Sequence, residues 1–296
     1  MRWLYHIRAA SGSALPEVYA PASLASEGFI HASFQGDVRE SARLYFPAGE
    51  RLSVLRIDPR RLDARVEIVA TPRGPMPHLH GAVPRDAIAE EIAIEAEAEA
   101  IDAAPDRVVG TRIAFVAFDG MTLLDLVGIH DPLSRVASMG FDATQVCTIV
   151  SATGPRVWAQ GGATITVDAV RPALDAFDVL VVPGGHGTRA LERDAGVIDW
   201  LRSYPANRLA ASVCTGALLL GAAGRLRGKR ATTHPSELGR LADFDAIATN
   251  SRVIDEGQLV TGGGVTCALD LGIHLVRRLE GDAAAEAIAR QMHLPA

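Results

Sequence analysis

A cysteine placed at a corner of the chain is the first candidate for chemistry. Residues 208–224 (Arg-Leu-Ala-Ala-Ser-Val-Cys-Thr-Gly-Ala-Leu-Leu-Leu-Gly-Ala-Ala-Gly) read as a short buried strand, one reactive residue, Cys214, and a helix that opens on Thr215 and Gly216. This is the form of a nucleophile elbow, in which a strand running straight into a helix holds the corner residue in a strained backbone conformation with its side chain projecting from the sheet edge. A thiol there sits at a helix N-terminus, where the macrodipole and free N–H groups favour the thiolate. The alternative is a buried cysteine acting as a small hydrophobe. Asp125 is the second candidate, a carboxylate among Leu123, Leu124, Leu126 and Val127. Desolvation at that helix start raises its pKa and a nearby thiolate raises it further, which suits Asp125 to exchange a proton with Cys214. The alternative is an acid that only answers the helix dipole. Gly184 and Gly185, in Pro183-Gly-Gly-His-Gly187, allow close backbone approach, so their N–H groups together with that of Thr215 are expected to form an anion pocket. A tight turn is the simpler reading of the same glycines.

Other residue types exclude chemistry. The three cysteines, Cys147, Cys214 and Cys267, are widely separated and never in a C-x-x-C pair, so neither a disulfide framework nor a zinc site is expected. His6, His31, His78 and His80 cluster in the first hundred residues, but no Asp or Cys recurs there at ligand spacing. They are expected as core or pocket histidines rather than metal ligands. A net charge of −6 leaves no basic stripe to neutralise phosphates, which argues for small-molecule chemistry and against nucleic acid. The start lacks a long apolar signal core and no apolar run approaches a membrane span, so a cytoplasmic protein is expected.

The elements that must position these residues fall into two groups. At 296 residues two domains are the default expectation. Residues 1–105 alternate short apolar runs with turn signals, at 3–7, 28–32, 52–57 and 66–70, which predicts a small α+β domain. Residues 87–104 are alanine and glutamate in near alternation, read either as a last edge strand or as an acidic connector, and Pro105 puts the boundary near residue 106. From Arg112 the rhythm becomes strand, helix, strand: apolar runs at 113–118, 146–150, 179–183, 209–213 and 259–261 alternate with helical segments at 121–138, 190–202, 215–223 and 265–279. That alternation predicts a doubly wound parallel sheet over residues 106–296. Residues 160–163 and 255–258 read as hairpin turns. In such a sheet, ligands sit beyond the carboxyl ends of the strands, where the loops carrying Asp125, Gly184 and Cys214 gather. Every candidate catalytic residue lies beyond residue 111, so the first domain is expected to be dispensable for chemistry. Residues 265–279 are apolar on more than one helical face, which suggests a covered interface between subunits.

Residues 111–294 carry a resemblance to the ThiJ/PfpI superfamily and, within it, to isonitrile (cyclohexyl-isocyanide) hydratases. The motifs are Leu124-Asp125-Leu126-x-Gly128, Pro183-Gly-Gly-x-Gly187, the run from Ser212 to Gly224, Gly228-Lys-Arg-Ala-Thr232-Thr233-His234, and Leu259-Val-Thr-Gly262-Gly263-Gly264-Val-Thr266. The resemblance implies a flavodoxin-like fold, a homodimer through this domain, no cofactor, and Cys214 and Asp125 as the catalytic pair. Gly184, Gly185, Thr215, Thr232, Thr233 and His234 are the matching candidates for oxyanion stabilisation and substrate binding. Thr215 follows the cysteine where the superfamily's peptidases have histidine, which speaks against proteolysis. Two departures bear on the pocket: Ile129 stands where the family has proline, and Pro235 where it has an aromatic residue. The same motifs occur in the sensor halves of AraC-like regulators. Only 15 residues (296 minus 281) follow Gly281, so no DNA-binding domain is expected there. The competing readings are a non-catalytic small-molecule sensor and a glyoxalase-like enzyme, the latter supported in relatives by a glutamate near the cysteine. The first domain resembles an uncharacterised bacterial family through Tyr5-His6-Ile7, Ser23-Leu24-x-x-Glu27-Gly28-Phe29-Ile30-His31-x-Ser33 and Pro77-His78-x-His80-Gly81. A distant relation of that family to the ADP-ribosyltransferase fold implies pocket positions for His6 and His31, with no established activity.

Overall fold

The computed structural model describes residues 2–10, 14–94 and 110–294, and the chain divides into two compact units, Met1–Val108 and Val109–Ala296. The principal elements of the first unit are β1 Leu4–Ala9, α1 Ala22–Glu27, β2 Ile30–His31, α2 Val38–Tyr45, β3 Leu52–Ile57, β4 Arg65–Thr71, β5 Gly74–His80 and β6 Ile88–Ala93. They form two three-stranded antiparallel sheets, ordered β1-β3-β6 and β2-β5-β4. Successive side chains on a strand point to opposite faces, so β1 feeds two separate cores. Leu4 packs with Ile30, Leu55, Ile57 and Leu79, while Tyr5 and Ile7 pack with Val38, Val54 and Ile92. The alanine–glutamate stretch is an edge strand as far as Ala93, with Ile88 and Ile92 buried and Glu90 and Glu91 outward. The rest of that stretch, and the boundary placed near residue 106, lie outside the described residues.

The second unit runs β7 Arg112–Ala117, α3 Leu123–Ser138, β8 Val146–Ser151, β9 Arg156–Trp158, β10 Thr164–Thr166, β11 Ala169–Val170, β12 Val179–Val182, α4 Ala195–Arg202, β13 Leu209–Val213, α5 Gly216–Ala222, β14 Val253–Asp255, β15 Leu259–Gly262, α6 Cys267–Glu280 and α7 Asp282–Gln291. Seven strands form one sheet, ordered β11-β8-β7-β12-β13-β15-β14. Every pairing is parallel except β14 with β15, a hairpin closed at residues 256–258. From β7 the chain moves outward to β8 in one direction and to β12, β13 and β15 in the other. Right-handed crossovers then put α3 and α4 on opposite faces of the sheet. The central strands are buried on both faces, which is why they read as unbroken apolar runs. Residues 160–163 turn a second hairpin, between β9 and β10.

Helix α6 corrects one expectation. Its buried residues, among them Ala268, Leu271, Gly272, Leu275 and Val276, pack against α3, α7 and β15. Its several apolar faces are therefore covered within the chain and call for no partner. The crossing with α3 is made of small residues: a Cβ on Gly128 would lie 2.8 Å from the Ala268 Cβ, and one on Gly272 2.8 Å from the Pro132 ring and 3.0 Å from the Gly128 carbonyl oxygen. Pro132 has no N–H to return to that carbonyl, and Gly272 is the residue small enough to accept the ring. Among the described residues no helix is long and apolar enough to cross a membrane.

Candidate active site

Val182 pairs with Ser212 across β12 and β13, so Pro183 and Cys214 leave the sheet at the same edge, beside the loop that follows β7. This is the switch point between β7 and β12, where open parallel sheets hold their ligands. Strand β13 is buried throughout and α5 begins at Gly216. Between them Cys214 takes φ +54°, a left-handed conformation that costs a side-chain-bearing residue about 1–2 kcal/mol. Three hydrogen bonds hold it there. Its N–H is shared between the carbonyls of Gly262 at 3.1 Å and Gly263 at 2.7 Å, and its carbonyl accepts the Thr233 hydroxyl at 2.8 Å.

Asp125 lies in the first turn of α3 and is fully buried. Its Oδ2 accepts the Gly184 N–H at 2.9 Å, Oδ1 has no conventional partner among the described residues, and the Cys214 thiol is the neighbouring polar group. Burial pushes this carboxyl up to about 6, against the downward pull of the Gly184 N–H and the thiol. Cys214, 4% exposed, moves opposite to the expectation from the helix terminus. Burial, the Asp125 charge and the hydrogen bond to that carboxylate push the thiol up to about 12, outweighing the amide and hydroxyl of Thr215. Between these two values the resting pair is thiol plus carboxylate, one proton shared by two buried groups.

The glycine loop also departs from expectation. The Gly184 amide is committed to Asp125, and the Gly185 amide donates to Thr215 Oγ1 at 2.9 Å. These amides brace the pair instead of facing an anion. A Cβ on Gly184 would stand 2.5 Å from the Thr215 nitrogen and 2.8 Å from the Cys214 Cβ, so a side chain there displaces the elbow. Thr232 and Thr233 are positioning residues: Thr232 Oγ1 donates to the Ser251 carbonyl at 3.0 Å, its N–H donates to Thr261 Oγ1 at 2.9 Å, and Thr233 holds the Cys214 carbonyl.

Above the sulfur lies a cavity of about 550 Å³. Cys214, Thr215, Gly185 and His234 reach it, as the sequence suggests, and Thr122, Gln160, His186 and Arg189 line it without having been singled out. Gln160 stands in the hairpin turn and His186 within the glycine run, so both were in view for their backbone alone. His234 Nδ1 meets Ser236 Oγ at 2.8 Å, and Arg189 reaches the cavity while held by Glu237 at 2.7 Å. Leu123 and Val265 supply apolar wall. Neither Ile129, which is in the core, nor Pro235 lines the cavity, and no glutamate does so among the described residues. No group of three histidine, cysteine or acidic side chains is placed to hold a metal ion among the described residues. Of the N-terminal histidines, His6, His31 and His78 line a cavity of the first unit, as the resemblance implies for the first two; His6 is buried, its Nδ1–H donating to the His31 carbonyl at 2.7 Å and its Nε2 accepting from the Tyr19 hydroxyl at 2.9 Å.

Both units of the chain match known families. Residues 8–91 match a family described as protein of unknown function (DUF952). Isonitrile hydratase from Pseudomonas putida is 37% identical over 184 residues, covering 61% of this chain and 77% of that protein. The HTH-type transcriptional regulator GbdR from Pseudomonas aeruginosa is 30% identical over 181 residues, 60% of this chain and 49% of the regulator. Among solved structures, a ThiJ/PfpI family protein from Pseudomonas syringae superposes with a TM-score of 0.56 at 34% identity, covering 62% of this chain and 76% of the other. Schizosaccharomyces pombe DJ-1, at 19% identity and a TM-score of 0.55 over 62% of this chain and all of that one, shares the flavodoxin-like fold. Residues 111–278, which include the elbow, the glycine loop and the buried aspartate, match the DJ-1/PfpI family, and with more than half its length so matched the chain belongs to that family.

Proposed function

We propose that this protein is an isonitrile hydratase, adding water to an organic isocyanide to give the N-substituted formamide. The observation that carries the reading is the buried carboxylate at the elbow thiol, two groups that hold one proton between them. Hydration of an isocyanide carbon needs that inventory. Asp125 takes the proton from Cys214 as Sγ attacks the carbon, then delivers it to the same carbon, leaving a thioimidate, S–CH=N–R. Asp125 next removes a proton from water, whose oxygen adds to the thioimidate carbon, and passes that proton to the nitrogen, which returns Asp125 to the carboxylate. The C–O double bond forms as the C–S bond breaks, and the hydroxyl proton returns through Asp125 to sulfur. No oxyanion arises in the first step, consistent with glycine amides occupied elsewhere. Similarity to the Pseudomonas putida enzyme supports the same reading.

The test is to incubate the full chain with cyclohexyl isocyanide and follow N-cyclohexylformamide by mass spectrometry, with Cys214→Ala as the control. Formamide from wild type and none from the variant is the expected result; equal turnover in both ends the nucleophile assignment. A chain begun at Thr111 is expected to retain turnover. A non-catalytic sensor is the second reading, favoured by a thiol held un-ionised and by the regulators among the relatives; it predicts isocyanide binding without formamide. We propose further that the second unit pairs as a homodimer, with Leu124 and Val127, 42% and 41% exposed on α3, as its apolar contacts. Light scattering that returned a monomer at micromolar concentration would remove that part.

A further inference from the structure

The first unit contains a cavity of its own, about 660 Å³, to which no chemistry has been attached. Its walls come from β1, β2, α2, β5 and the turn after β4. Its lining is apolar at Ile7, Leu44, Phe46 and Met76 and polar at Arg73, Ser33, Ser41, His31 and His78. Among the described residues no carboxylate lines it, and Glu27 and Glu67, near its histidines, are engaged by His31 and by His80, each at 2.8 Å.

Arg73 is the informative residue. In the same unit Arg8, Arg56, Arg60 and Arg65 each meet a carboxylate, whereas Arg73 meets none among the described residues. Its Nη1 donates to Ser41 Oγ at 3.2 Å and its Nη2 to the Tyr45 hydroxyl at 3.3 Å, with the guanidinium carbon 5.3 Å from the Tyr45 ring centre. The guanidinium is thus pinned at the cavity with donors to spare, since it carries five N–H groups in a fixed fork. Ser41 adds an independent observation. It is 5% exposed, and its oxygen accepts from both Ser33 Oγ, at 3.0 Å, and Arg73. Its lone pairs are used, and its own O–H donates to no group among the described residues. A buried hydroxyl in that state keeps a donor for an acceptor placed in the cavity it lines. The His78 ring, also in the lining, lies flat on Phe29, centroids 4.0 Å apart and planes 12° apart, which fixes its orientation.

We propose that this cavity binds a small organic anion, a carboxylate or phosphate monoester on a planar apolar body, whose anionic oxygens take Arg73 and the Ser41 hydroxyl. The body lies along Phe46, Leu44 and Met76. The site is independent of the isocyanide reading, since none of its residues belongs to the Cys214 cavity.

Calorimetric titration of the full chain with benzoate, phenyl phosphate and benzamide tests the proposal. Benzoate or phenyl phosphate is expected to bind at least about ten-fold more tightly than neutral benzamide, and the stronger of the two identifies the anionic group. Arg73→Gln, at an exposed turn, is expected to lose about 10- to 100-fold in affinity, as removal of a charge-assisted hydrogen bond does. Ser41→Ala is expected to lose a smaller factor, with unchanged melting as the sign that the cavity is intact, and Cys214→Ala is expected to bind as wild type does. Benzamide binding as tightly as either anion, full affinity in Arg73→Gln, loss of binding in Cys214→Ala, or no binding of either anion overturns the assignment.

Discussion

Replacing Asp125 by asparagine separates what this residue does for chemistry from what it costs the fold. Its carboxyl rises from 3.8 to about 6 in the folded protein. At about 1.4 kcal/mol per unit, the shift of a little over two units amounts to roughly 3 kcal/mol. The sign follows from proton binding. The native state holds this proton more tightly than the unfolded chain does, so the carboxyl destabilises least below about pH 4, and stability is lost as the pH rises through about 6. Asparagine cannot ionise and removes that loss, while its carbonyl accepts the Gly184 N–H less strongly than a carboxylate, a difference of about 1 kcal/mol. The expected net gain at pH 8 is roughly 2 kcal/mol, or about 4–8 °C in the melting of a unit this size, and less than half of that at pH 5. Scanning calorimetry of the full chain at the two pH values reads the difference. Turnover of isocyanide should meanwhile fall by about 10²- to 10⁴-fold. Cys214 should alkylate faster at pH 8, because the charge that pushes its thiol up is gone. A variant destabilised equally at both pH values, or with slower alkylation, would refute the reasoning.

Three further outcomes follow from the same geometry. In the proposed mechanism the carboxylate is the competent form of Asp125, so kcat/KM for an isocyanide should rise as the pH passes about 6 and then level off; a profile falling through that range contradicts the base assignment. Cys214→Gly should be more stable than Cys214→Ala by about 1 kcal/mol in denaturant unfolding, because only glycine takes a positive φ without strain. Thr233→Ala, which removes the hydroxyl from the Cys214 carbonyl, should cost about 1 kcal/mol of stability and lower kcat more than it raises KM, with Thr233→Ser restoring both.

Much of this site is legible along the chain, and the parts that are not share a cause. The elbow is a local event, a buried strand meeting a helix, so Cys214 and its strained backbone follow from seven or eight neighbouring residues. Asp125 announces itself as a charge in an apolar run. The ionisation of Cys214 does not, because the helix terminus is local whereas the burial and the carboxylate that outweigh it arrive through the fold. The glycine amides mislead for the same reason: two N–H groups in a loop look free until Asp125 and Thr215, 59 and 30 residues away, are seen to take them. Thr122, Gln160, His186 and Arg189 face the cavity only once β9, β10 and the segment after Pro183 are placed. The breadth of apolar surface on α6 is plain in sequence, but whether a second subunit or α3 and α7 covers it is a matter of topology.

The carboxylate beneath Cys214 has a consequence for the lifetime of the protein. Peroxide attacks thiolates, and a thiol held at about 12 presents on the order of one thiolate in 10⁵ molecules at pH 7. In the proposed mechanism the group that activates the sulfur for a substrate able to accept a proton on carbon thereby shelters it from oxidants that bring no such acceptor. Cys214 in this state is expected to resist oxidation, and after exposure to peroxide the peptide that carries it should keep its unmodified mass.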